Sequence, residues 1–133
     1  MQHAISWFEI PVHDLERARR FYEAVLGVTL QTLKLGQGPA LALFPVDPAR
    51  GVGGALACGR GYVPAREVAG ERVVHEGVKV YLNAGDDLGP ALERVATAGG
   101  RVAVPKTQIS PDFGFMGAFV DTEGNWVGLH STH

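Results

Sequence analysis

Cysteine is almost missing from this chain. Cys58 stands alone among 133 residues, so no intrachain disulfide can form and a disulfide-stapled secreted fold is excluded, which leaves the reducing cytosol as the expected compartment. Long apolar runs are missing too: none approaches the roughly 18 to 20 residues that a membrane span needs, and the opening MQHAISWFEI lacks the basic start and small-residue cleavage site of a signal peptide. Charge of one sign is scarce. Twelve Lys and Arg against fourteen Asp and Glu leave a net charge of −2, with no like-charged run longer than a pair such as Arg19 and Arg20. Nucleic acids and anionic membrane surfaces demand a clustered basic face, so neither is an expected partner, and a small neutral or weakly charged molecule fits better. What is present is 46% apolar residues, enough for one compact domain or two small halves sharing one core.

The spacing of Leu15, Ala18, Phe21 or Tyr22, and Val25 predicts a helix over 12–26, capped by Asp14 and stopped by Gly27. Ile5 to Val12 alternates like a strand ahead of it. Val28 to Leu35, Ala40 to Phe44 and Gly53 to Cys58 are three short strand candidates, separated by the turn formers GQGP and VDPARGVG. The order is therefore strand, helix, three strands.

That order returns. Asp14, Leu15, Ala18 and Gly27 recur 73 residues later as Asp87, Leu88, Ala91 and Gly100, which places a second helix over Asp87 to Ala98. Val78 to Ala84 precedes it; Arg101 to Pro105, Phe115 to Val120 and Trp126 to His130 follow as strands. Gly85 reads as an insertion between the strand and the helix. One domain over 1–133 results, with a first module at about 1–58, a polar connector at 59–77 and a second module at 78–133. Each half is too small to bury a core alone, so the sheets are expected to curl together around a shared concave face where a ligand would sit.

The stretch Trp7-Phe8-Glu9-Ile10-Pro11-Val12, followed by Asp14-Leu15, Phe21-Tyr22 and Leu26-Gly27, resembles the opening of the vicinal oxygen chelate superfamily. That superfamily includes glyoxalase I, extradiol dioxygenases, fosfomycin resistance enzymes and bleomycin resistance proteins. Phe119 to Leu129, FVDTEGNWVGL, resembles its closing hairpin. GGALACGRGYVP and VYLNAGDDL look most like its uncharacterised, glyoxalase-related bacterial branch. The resemblance implies an α+β fold of two βαβββ modules forming a cupped mixed sheet with helices outside, often as a homodimer. Fold alone does not deliver function here, because lyases, dioxygenases and pure binders share the scaffold.

Enzymes of the superfamily place His, Gln or Glu at four strand positions around one divalent ion. Counted back from Asp14, the first of these falls on Trp7; counted back from Asp87 across Gly85, the second falls on Lys79. Gly128 stands where the closing strand would carry a Glu, and the remaining position lies near Gly53 to Cys58, inside a stretch (48–66) without any Asp or Glu. An indole, an ammonium and a hydrogen atom do not ligate a cation. No metal cofactor is therefore expected. Cys58, His75 and His130 are the material for an unorthodox site, but their spacing shows no paired ligand pattern.

Strand alternation sends Phe8, Ile10 and Val12 toward the helix and Trp7, Glu9 and Pro11 into the cup. It likewise sends Lys79, Tyr81 and Asn83, and Trp126, Gly128 and His130, to the concave face. This lining allows an acid/base reading, in which Glu9 abstracts a proton and Lys79 and His130 assist or Lys79 holds an anionic group. It equally allows a Glu9–Lys79 salt bridge that replaces the metal and closes the cup. Trp7 and Trp126 would stack on a planar ligand or simply fill space, and Tyr81 and Asn83 would orient a ligand by hydrogen bonds or satisfy the polar floor. Thr107 to Gly114 reads as a lid or as an ordinary hairpin connection. Three functions follow: a metal-independent isomerase or lyase, a sequestering or sensing binder, and a metal-dependent lyase or dioxygenase with displaced ligands.

Overall fold

The computed structural model describes residues 5–34, 36–47, 49–62 and 78–133. The elements run β1 (Trp7–Pro11), α1 (Leu15–Leu26), β2 (Gln31–Lys34), β3 (Ala40–Leu43), β4 (Gly53–Cys58), β5 (Tyr81–Asn83), α2 (Gly89–Val95), β6 (Arg101–Ser110), β7 (Gly114–Val120) and β8 (Trp126–Ser131). They form two four-stranded mixed sheets, ordered β1-β4-β3-β2 and β5-β8-β7-β6. Each is a βαβββ module, and the fold is α+β.

Local chemistry sets the first helix. The Asp14 side chain accepts from the Arg17 amide at 3.0 Å, and Gly27 closes the helix with φ 68°, a left-handed turn that glycine adopts without a Cβ penalty. The second helix is shorter than the repeat predicts. Asp87 Oδ1 instead accepts from the Gly89 amide at 2.8 Å, holding Asp87 in a turn before the helix, and the chain beyond Val95 loosens into turns that end at Gly99. Of the two readings of Thr107–Gly114, the hairpin is the one found: β6 continues to Ser110 and a tight turn at 111–113 leads into β7, so the segment is not a lid.

The core lies between helices and sheets and crosses from one module to the other. Phe21 and Tyr22 on α1 meet at 5.2 Å, and both rings reach Phe119 on β7, at 5.5 and 6.0 Å, while Tyr22 also packs edge-on against Phe44 at 5.6 Å. Both are fully buried, each contributing roughly 2–3 kcal/mol of apolar transfer free energy. The Tyr22 hydroxyl donates to Asp121 Oδ2 at 2.7 Å in this interior. Burial pushes the Tyr22 phenol well above its ordinary pKa and raises Asp121, although hydrogen bonds from Asn125 and Tyr22 oppose the rise at the carboxylate. Tyr22→Phe keeps the ring and removes one of the Asp121 donors, so it is expected to cost about 1–2 kcal/mol in urea unfolding; a change below a few tenths would mean the bond contributes nothing. Among the described residues no helix is long and apolar enough to cross a membrane.

Candidate functional site

The two modules are joined differently on their two sides. On one side the β7–β8 turn locks onto the start of α1. Glu123, whose side chain is wholly buried, accepts from the His13 and Asp14 amides through Oε1 and from Arg17 Nε through Oε2, at 3.0, 2.8 and 2.8 Å. Burial alone would raise the Glu123 pKa, but Arg17 and the amide donors carry it below its ordinary value. Asn125 Nδ2 donates to the Pro11 carbonyl at 2.8 Å and completes the lock.

Matching hydrogen bonds fix the correspondence between modules. Val12 donates to the Ala57 carbonyl, and Ala84 to that of His130, both at 2.9 Å. With the strand registers, Trp7 therefore corresponds to Lys79, Glu9 to Tyr81, Ala55 to Gly128 and Asn125 to Val52. The helix caps are one residue out of step with this pairing, and Gly85, with φ 75°, takes up the difference.

On the second side the corresponding turn, between Pro45 and Gly53, has Val52 where Asn125 supplies its amide, and no comparable lock forms among the described residues. A cleft of about 1220 Å³ opens there instead, between the edge strands β1 and β5. Its walls carry Trp7, Glu9, Lys79, Tyr81 and Asn83. Phe8, Leu26, Val28, Phe44, Leu82 and Ala91 make its inner part apolar.

The rings sit on missing side chains. A Cβ on Gly53 would lie 2.9 Å from the Trp7 ring, and one on Gly128 would lie 2.3 Å from Tyr81 Cδ1, so each ring occupies space that any larger residue would claim. Both rings remain half exposed, at 45% and 47%. Tyr81 meets Trp126 edge-on at 5.9 Å, and the Lys79 ammonium lies 5.3 Å from the center of the Trp126 ring.

The expected Glu9–Lys79 ion pair does not form among the described residues. β1 and β5 are edges of separate sheets, and Glu9 is held instead by the Tyr62 hydroxyl at 2.7 Å and Trp7 Nε1 at 3.3 Å. The hydrogen bond to Glu9 raises the Tyr62 pKa. Tyr62, which the sequence did not single out, packs with Leu41, Ala55 and Ala57 against the concave face of the first sheet. Asn83 turns its carbonyl oxygen back to the Gly85 amide at 2.8 Å. His130 stands apart from the cleft, with Nε2 donating to the Phe113 carbonyl at 2.6 Å.

The register completes the test of a metal site. Trp7, Ala55, Lys79 and Gly128 present an indole, a methyl group, an ammonium and a hydrogen atom, and none of these offers a lone pair to a divalent ion. The residues present do not fit such an ion at those positions. No group of three or more potential ligands occurs among the described residues; Cys58 donates to the His13 carbonyl, His130 pairs with the Phe113 carbonyl, and His75 lies outside the described residues.

Residues 5–36 match the family model of the bleomycin resistance protein-like N-terminal region. Over 127 residues the chain is 32% identical to a glyoxylase-like domain-containing protein from Didymella fabae, covering 91% of this chain and 88% of the relative. A glyoxalase-related enzyme from Fulvimarina pelagi superposes with a TM-score of 0.63 at 19% identity, covering 98% of this chain and 88% of the other. TnmS3, an antibiotic binding protein from Streptomyces sp. CB03234, superposes with a TM-score of 0.59 at 21% identity, covering 98% and 97%.

Proposed function

Since this chain belongs to the vicinal oxygen chelate superfamily of glyoxalase-like proteins, we propose that it binds a planar organic molecule in the cleft between its modules, without the divalent ion of the superfamily's enzymes. The observation that carries the reading is the pair of half-exposed rings, Trp7 and Tyr81, each laid over a glycine on the walls of one cleft. Large aromatic surface left open in a concave site gains most by covering a flat apolar guest.

Binding is favored over proton-transfer catalysis by the state of Glu9. Its two oxygens already accept from Tyr62 and Trp7, so the group best placed as a base has each oxygen turned to a donor of this chain. The antibiotic-binding relative has the same fold. A cytosolic homodimer belongs to the same proposal, with mass by light scattering as its check.

Titration with naphthoate and naphthamide, read by tryptophan fluorescence in the presence of EDTA, tests the binding. Saturable quenching at one molecule per chain is expected, unchanged by the chelator. Absence of saturation with both probes, or binding that appears only when zinc, nickel or iron is added, would overturn the proposal.

A further inference from the structure

We infer that Lys79 is the fixed cation of the cleft and that the molecule bound there is an aromatic carboxylate. This rests on the cleft being an aromatic binding site and adds the charge of its guest. Four charged side chains among the described residues line the cleft: Glu9, Lys79, Asp87 and Arg94. Three are engaged by polar partners. Asp87 accepts from Lys106 Nζ at 2.7 Å and from the Gly89 amide, Glu9 accepts from Tyr62 and Trp7, and Arg94 directs Nε and Nη2 onto the Val25 carbonyl at 2.9 and 2.7 Å.

Lys79 differs. Among the described residues its ammonium faces only the Trp126 ring, which attracts the charge but accepts none of its hydrogen bonds in the way an oxygen would. The ammonium and the Tyr81 ring both meet this indole, and the open Tyr81 ring is one of the two seats for a flat guest. A ring seated on Tyr81 therefore brings its substituent against an ammonium whose three N–H donors meet no acceptor among the described residues. A planar carboxylate satisfies them, continues the plane of the ring and leaves a single negative charge. A second negative charge would be repelled by Glu9 across the cleft. Lys79 corresponds to Trp7 in the repeat, at a position where a metal ligand is expected in the superfamily's enzymes; here the side chain itself supplies the positive charge.

Naphthoate and naphthamide separate charge from stacking, because they share the ring and differ in the anion. At low ionic strength naphthoate is expected to bind about tenfold more tightly, the scale of one charge-assisted hydrogen bond in a partly exposed site. Lys79→Met, which keeps the length and apolar stem, is expected to bring that ratio to about one, and Lys79→Arg to preserve most of it. A ratio near one in the native protein, or a preference for naphthoate that survives in K79M, would overturn the inference while leaving aromatic binding intact. If neither probe binds, the binding reading fails and this inference fails with it.

Discussion

Glu123→Ala is expected to lower stability by about 3 kcal/mol, a fall in melting temperature of roughly 10 °C. The side chain is fully buried yet holds two backbone amides and a guanidinium. Removing it leaves the His13 and Asp14 N–H groups without their acceptor at the start of α1, where intrahelical partners do not exist. Arg17 is half exposed, so water replaces its share of the loss. Glu123→Gln keeps the shape and is expected to lose about half as much. The pH dependence distinguishes the charge from the packing. Because the folded-state pKa of Glu123 is lowered, its contribution is complete above the ordinary glutamate value of about 4.3 and disappears as pH falls through the lower folded value. E123Q should therefore lose less stability than the native protein between neutral pH and pH values below about 4. Urea unfolding that shows equal stability for the alanine variant and the native protein would remove Glu123 from the lock.

The elements were legible in the sequence where their causes are local. Asp14 and Gly27 bound α1 because capping acts within a few residues, and the recurrence of Asp87 to Gly100 exposed the second module because repeated modules need repeated stops. The exposure of Trp7, Glu9, Lys79 and Tyr81, alternating with the more buried Phe8, Ile10, Val80 and Leu82, follows the alternation read from the sequence, since the pleat has period two. What escaped was set by partners distant in the chain. DTEGN reads as an ordinary turn, and nothing within it reveals that Glu123 will meet Arg17 and Asp121 will meet Tyr22, about a hundred positions earlier. A signal was nevertheless present: two carboxylates in a short turn between apolar strands need donors when that turn is buried. The Glu9–Lys79 pair failed for the converse reason, because it assumed that β1 and β5 join, and in the structure Tyr62 reaches Glu9 from beyond β4.

The same glycine that marks a missing metal ligand carries the second large expectation. Gly128→Val should weaken naphthoate binding roughly 10- to 100-fold, the range expected for losing one aromatic seat. The effect runs through displacement. A Cβ at 128 would stand 2.3 Å from Tyr81 Cδ1 and 2.6 Å from Cε1, and the ring, already half exposed, is the part able to yield. Swinging outward, Tyr81 abandons both its place over β8 and its edge contact with Trp126. The fold should tolerate the change at about 1–2 kcal/mol, because the added methyl groups meet a movable side chain and valine suits a strand. Tyr81→Ala supplies the comparison: with Gly128 retained, it should lose a similar amount of affinity, and the double variant G128V/Y81A little more than either alone. Additive losses would mean that Gly128 acts on the cleft by some route other than the seat it provides for Tyr81. Undiminished affinity in G128V would place the guest elsewhere than on that ring.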